Sequence, residues 1–552
     1  MNKLFILFLC LLSFIAYFNS LDNGFVLDDE SLIVNNPLIK SSKLLPLVFK
    51  TCLYSYPEID AGNILYDKMY RPLQLVSYSL DYRIWGLNPF GFHLHNLLIH
   101  TLNAILVFYL FSLLGGKLAA GIISILFTIH PIQVSVVSYI SSRADLLVSF
   151  FILLSVILFF KFSQLGLKRY YVFSLLSAAL ALLCRENATI LFLFILLVLF
   201  VLKSRPLKFL YAAPFILLAF LYFALRFMLF GAGGLAAHPH FLSQGLLIIN
   251  FLNITLRYVG LLILPLDLHL VRTTAFITGL FDARVFFALV FILVYIYLII
   301  KMRDNKLALF GMLWFLLGLI PVLFSLDGYA GLRMAMMAES WLYLASPGFF
   351  VFFVILGDIF RKKRITKIPL ILVALFYLSL TITNNAHWKN GITVYTNILK
   401  YTSENNPMRK YLAREYMRKG LYENALSEIK KFSRYCPECS ERYILEGDYH
   451  YALDEIPRAI DKYRAALVIS PDNFIVFYKL SRCFDRMGEQ DKAMEFALRS
   501  VSINPRYLDG LAGLGDLYGK NKNPNEAIKY YKMYLQIDPG NKILEEKIKN
   551  AK

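Results

Sequence analysis

Residues 94–114 read LHNLLIHTLNAILVFYLFSLL, a run without acid, lysine or arginine. At ~1.5 Å of helical rise per residue it extends about 30 Å, the thickness of a bilayer's hydrocarbon core. The run is not uniformly apolar. His93, Asn96, His100 and Asn103 recur at spacings of three, four and three, so they line one helix face. Lipid offers such a polar seam no hydrogen bonds, so it must face other helices. His and Asn commonly join membrane helices, which suits the deeper pair; His93, near the outer end, is the better site candidate.

Working outward, comparable runs lie at about 4–18, 118–130, 145–162, 170–184, 187–202, 207–230, 283–300, 307–325, 342–358 and 367–384. With 58% hydrophobic and 17% charged residues, this is a polytopic membrane protein and not an ordinary soluble one. A net charge of +19 would suggest nucleic acid in a soluble chain. Here the basic residues cluster in short loops between runs, which encodes topology and gives no reason to expect a nucleic-acid partner.

Leu246–Pro265 is ambiguous, because Asn250, Asn253 and Arg257 interrupt it. Spanning there would carry Lys301-Arg303-Lys306 and the 361–364 cluster RKKR to the outer side, against the positive-inside rule, so it is read as lying at the surface. Eleven spans follow, with a cytoplasmic N-terminus and the C-terminus outside. Leu4–Phe18 lacks a small-x-small cleavage site and is kept as a span; the next segment is non-cytoplasmic either way.

That outer segment, 19–92, carries FVLDDESLIVNNP at 25–37. Adjacent carboxylates Asp28 and Asp29 near a bilayer must hold a metal, face a basic group, move protons, or form a solvated turn. Further outer-face groups are Arg71, Arg143 with Asp145, Arg185 with Glu186, Arg257, Arg272, Arg333 and Glu339. Planar guanidinium groups bind phosphate bidentately, and a lipid phosphate is the natural anion in a membrane. No P-loop, dinucleotide fingerprint, HExxH motif or nucleophile elbow occurs.

From about His387 the composition turns polar. Pro437, Pro471, Pro505 and Pro539 recur every 34 residues, as do Ala425, Ala459, Ala493 and Ala527. Two markers at one period signal about four tetratricopeptide repeats, an α-solenoid able to fold by itself. Glu446 and His450 depart from the pattern. Cys436 and Cys439 flank the repeat's own proline and are read as turn cysteines; the six cysteines of the chain make no disulfide framework.

These residues carry a resemblance. FVLDDESLIVNNPLI, YRPLQLVSYSLDYRIWGLNPFGFHLHNLLIHTLNAIL, HPIQVSVVSYISSRADLL, CRENATILF, MAESWLYLASPGF and HWKNGITVY occur in an order that resembles the transmembrane and tetratricopeptide-repeat O-mannosyltransferase family and its prokaryotic relatives, within the glycosyltransferase C superfamily. The resemblance implies an all-α fold: a polytopic bundle of about eleven transmembrane helices over 1–385, a connecting segment 386–404, and repeats over 405–552. It implies a glycosyltransferase that moves a mannose-like sugar, with inversion, from a polyprenyl-phosphate donor to a hydroxyl of a protein or glycan on the non-cytoplasmic side. The membrane would be a prokaryotic cytoplasmic membrane, or the endoplasmic reticulum in a eukaryote. Asp28 maps to the general base, and Asp29 to an orienting group or ligand of a divalent ion such as Mg or Mn. Arg71 and Arg143 map to phosphate stabilisation; His93, Asp145, Glu186 and Glu339 are further substrate-binding candidates. The repeats would gather the acceptor.

Departures from the family are specific. Where relatives commonly read His-Pro-Val-His-Thr-Glu, this chain has His130-Pro131-Ile132-Gln133-Val134-Ser135, and Ser340 follows Glu339 where Arg is frequent. Two other readings therefore stand beside the first: a non-catalytic membrane scaffold displaying repeats, and a glycan polymerase or ligase using a lipid diphosphate.

Overall fold

The computed structural model describes residues 3–54, 69–203, 206–231, 244–325, 334–362, 368–402 and 407–550. Arg333, Lys363 and Arg364, used above for topology and site, lie outside these. Two compact units form: Met1–Asp29 with Lys50–Leu53 and Lys68–Asn390, and Glu30–Phe49 with Tyr54–Asp67 and Gly391–Lys552.

The first unit is a helical bundle. Among the described residues, nine helices are long and apolar enough to cross a membrane, against the eleven spans expected. Part of the difference is one merged element. Helix Pro89–Ile129 contains two of the expected runs, parted at Gly116 by φ 80 and ψ 172, a backbone conformation that only glycine adopts freely. Lys168–Cys184 and Glu186–Val201 fall short of the span length.

Gln244–Ile263, set aside in the sequence reading, is one of the nine. Its disruptive asparagine is satisfied inside the protein: Asn250 Nδ2 donates to Leu246 O at 2.8 Å and Ile277 O at 3.0 Å, and Oδ1 accepts from Ile277 N at 2.9 Å. Asn253 is also buried. Polar residues that are paired internally do not bar a helix from the bundle. Among the described residues of this unit, one two-stranded ribbon accompanies the helices, Arg272–Ala275 antiparallel to Met334–Met337.

An asparagine clasp joins the ends of this unit. Asn385, closing helix Ile368–Asn385, donates to Ala16 O and to Asn19 Oδ1, both at 2.8 Å. Asn19 returns a bond to Ile382 O at 2.8 Å, and Gly24 N donates to Lys389 O at 3.0 Å. The segment leading to the acidic doublet is thereby fixed to the last helix of the bundle.

The second unit holds the repeats, helix pairs from Pro407–Arg418 with Tyr422–Tyr435 through Leu508–Lys520 with Pro524–Ile537. Ala425, Ala459, Ala493 and Ala527 are buried, as small residues between closely packed helices should be. Gly447 sits under the Tyr463 ring, where a Cβ would lie 2.5 Å from Cε1. The departures have local partners: Glu446 accepts from Arg442 Nε at 2.9 Å and Lys462 Nζ at 2.6 Å, and His450 Nδ1 meets Glu455 Oε2 at 2.7 Å. Cys436 and Cys439, read as incidental, are joined as a disulfide. This unit also includes the stretch just after the doublet, where Glu30 Oε1 accepts from Arg418 Nη1 at 2.6 Å.

Candidate active site

The two acidic neighbours have opposite environments. Asp29 is fully buried, its Oδ1 accepting from Ser141 N at 2.9 Å and from Ser141 Oγ, and its Oδ2 from Val26 N at 3.0 Å. Leu27 makes this turn possible by adopting φ 54, a left-handed conformation that is costly for a branched side chain and found where the surroundings enforce it. Burial pushes the Asp29 carboxyl up to about 7, against the lowering effect of its Ser141 and Val26 donors. Asp28 is half-buried. Its N–H donates to Tyr139 Oη at 3.3 Å, and the Tyr139 ring stacks on Trp388 with centroids 5.0 Å apart.

This geometry does not fit Asp29 as a metal ligand. Both oxygens are occupied by protein donors inside a closed turn, and among the described residues no three His, Cys, Asp or Glu side chains gather to hold an ion.

Arg143, expected at the phosphate, is enclosed. Its Nε donates to Asn96 Oδ1 at 2.7 Å, Nη1 to Asp81 Oδ2, and Nη2 to Phe92 O at 2.8 Å, with the guanidinium 4.8 Å from the centre of the Tyr78 ring. A guanidinium spent on three partners and 1% exposed holds helices together and does not reach a ligand. His93 is also buried, its ring nitrogens beside the backbone of Asn23 and Gly24 without completing hydrogen bonds. Deeper in the seam, Asn96 donates to Val137 O and Tyr139 O, while His100 Nδ1 meets Tyr343 Oη at 2.8 Å and Asn103 donates to the same oxygen at 3.1 Å. The seam is interhelical glue.

Four other candidates form one charged cluster. Arg71 meets Glu186 in a bidentate pair, Nη2 to Oε1 at 2.7 Å and Nε to Oε2 at 3.3 Å, and Arg185 pairs with Asp145. Burial alone would raise the Glu186 carboxyl, but the Arg71 charge and hydrogen bond outweigh it and hold it down to about 2. Asp145 also lines a tight pocket of ≈ 30 Å³ with Asn187, Ser340 and Trp341. Glu339 stands apart from this cluster's pairs: its Oε1 accepts from His269 N at 2.7 Å and lies 3.5 Å from Arg272 Nη2. The divergent Gln133 is buried and donates to Ser346 Oγ at 2.9 Å.

Sequence reasoning missed Asp81 and His95. They lie on different helices, Pro72–Trp85 and Pro89–Ile129, so no spacing relates them, and His95 falls off the seam that drew attention to His93.

A protein O-mannosyl-transferase of Caenorhabditis elegans is 27% identical over 444 residues, 76% of this chain and 61% of that protein. Protein O-mannosyl-transferase Tmtc1 of Drosophila melanogaster is 32% identical over 184 residues, 32% of this chain and 20% of its own length. The chain is similar to these protein O-mannosyl-transferases. It spans less than two thirds of the length of either of these curated O-mannosyltransferases. Tetratricopeptide-repeat families match residues 412–474, 476–507 and 508–541. A crystal structure of MamA is 30% identical and covers 27% of this chain and 86% of its own, at a TM-score of 0.23.

Proposed function

We propose that the chain is an integral-membrane glycosyltransferase that moves a mannose-like sugar from a polyprenyl-phosphate donor to a hydroxyl of a protein or glycan acceptor on the non-cytoplasmic side, with inversion. The observation that carries this reading is the division of labour in the doublet. Asp29 is locked to Ser141 and Val26, so it holds the turn, while its neighbour Asp28 is half-buried at the edge of that turn.

In the proposed step Asp28 takes the proton of the acceptor hydroxyl as its oxygen attacks the anomeric carbon. The C–O bond to the lipid phosphate breaks from the opposite face, so the sugar inverts and the electron pair leaves on phosphate. Arg71 and Arg185, each oriented by a carboxylate, supply positive charge for that developing anion. Arg143 acts only by fixing Asp81, Asn96 and the backbone at Phe92. The repeats gather the acceptor.

The test is incubation of purified protein with polyprenyl-phosphate mannose and other polyprenyl-phosphate sugars, together with serine- and threonine-rich acceptor peptides. Release of lipid phosphate matched by sugar on the acceptor is expected; its absence with every donor would overturn the reading.

The scaffold reading has one observation of its own. The segment around Gln133 is packed shut by its bond to Ser346, in the place where relatives commonly carry His and Glu. Partner capture by the repeats without any sugar transfer would favour it.

A further inference from the structure

Asp81 is buried and divides its carboxylate between two partners, Oδ2 on Arg143 and Oδ1 on Nδ1 of His95. An ionised carboxylate only accepts, so the Nδ1 of His95 carries a proton and the ring is held in one orientation; in the imidazolium form Nε2–H is a second donor, aimed away from Asp81. The His95 side chain is 29% exposed where Asp81 is 2% exposed, and among the described residues Nε2 has no partner and is not enclosed. The dyad thus presents one imidazole nitrogen outward from a rigid base.

What surrounds it is apolar and uncovered. On the same helix Leu98 and Leu102 are 50% and 47% exposed, and on Pro72–Trp85, which carries Asp81, Leu80 and Ile84 are 53% and 65% exposed. In a membrane bundle such a face meets acyl chains. His95 lies six residues into its helix, about 9 Å from the start, a depth that suits the headgroup boundary. Asp81 and Asp29 both lie within electrostatic reach of Tyr78.

We propose that His95, oriented by Asp81, binds the phosphate head of a polyprenyl-phosphate carrier whose chain runs along the Leu98 and Leu102 face. This deepens the transferase reading and rests on it for the identity of the carrier. The ligand chemistry is an isoprenoid phosphate monoester: a phosphate oxygen that accepts from Nε2–H of the His95 imidazolium, and a branched hydrocarbon for the leucines.

The test uses the full chain in phosphatidylcholine nanodiscs, with farnesyl phosphate, farnesol and inorganic phosphate as probes. H95F keeps the Asp81–Arg143 pair. It should weaken farnesyl phosphate binding on the order of tenfold, the loss of one hydrogen bond to a charged group, and leave farnesol binding unchanged. H95Q, which retains an N–H donor, should recover part of the affinity. If H95F melts below wild type, H95N takes its place, being too short to reach the phosphate, and should lose binding equally. Unchanged affinity in the folded variant overturns the proposal. Displacement by an equal concentration of inorganic phosphate also overturns it, because the ligand would then be a soluble anion. Binding needs no sugar: His95-dependent binding without transfer defeats only the transferase reading, and transfer with a silent H95F defeats only this one.

Discussion

Asp29 and Ser141, 112 residues apart in sequence, are joined twice: the Ser141 N–H donates to Asp29 Oδ1 at 2.9 Å, and the Ser141 hydroxyl donates to the same oxygen. The pair ties the loop after the first helix to the start of helix Arg143–Leu165 and leaves Asp28 at the turn's half-exposed edge.

Asp28→Asn should lower turnover about 10²- to 10⁴-fold, the usual contribution of a general base, with little change in melting temperature. Asp29→Ala should instead depress the melting temperature, because it leaves the N–H groups of Val26 and Ser141 buried and unpaired. Full turnover in both variants would remove the doublet from the chemistry and make Glu339 the next carboxylate to test.

Asp29 also sets a pH signature. Its folded pKa of about 7 lies above the unfolded value, so the native state holds more protons between about pH 4 and 7. Its stabilising contribution is complete below about pH 4 and is lost as pH rises through 7. Thermal unfolding in detergent should show the wild type losing stability over that window relative to Asp29→Asn, which does not titrate. A parallel pH dependence in both proteins would contradict the assignment.

Arg143→Gln should cost stability of about 3–5 kcal/mol, since it strands the buried Asp81 carboxylate. Arg71→Ala should weaken donor binding as well as rate, because phosphate charge is present before and after transfer. Chemical denaturation and donor titration of the two variants separate these roles; the reverse pattern would restore Arg143 as the phosphate ligand.

Topology has a direct readout. Single cysteines at 42 and 545 should label from outside, and those at 165 and 363 only from the cytoplasm. Labelling of 42 and 545 on opposite sides would show that Gln244–Ile263 crosses the membrane and makes the number of spans even.

In the repeats, Gly447→Ala should destabilise by about 1–3 kcal/mol, because the new methyl group meets the Tyr463 ring. Calorimetry of the full chain should show the loss in the transition assigned to the repeats, and an unchanged transition would mean the helices part without cost.

Membrane character, the repeats and the acidic doublet were determined by sequence alone, because each depends on local properties: apolar run length, a 34-residue period, and two adjacent carboxylates. The roles of individual charges were not. Asp28 and Asp29 are chemically identical, and only the fold, by enclosing one with Ser141 and leaving its neighbour half-exposed, gives them different work. Arg143 reads as a phosphate ligand until helix packing surrounds it with Asp81, Asn96 and Phe92. Asn250 reads as a helix breaker until Ile277 satisfies it. The physical reason is common to all three: what a polar group in a bilayer-sized bundle does depends on the partners that desolvation forces on it, and those partners come from distant segments of the chain.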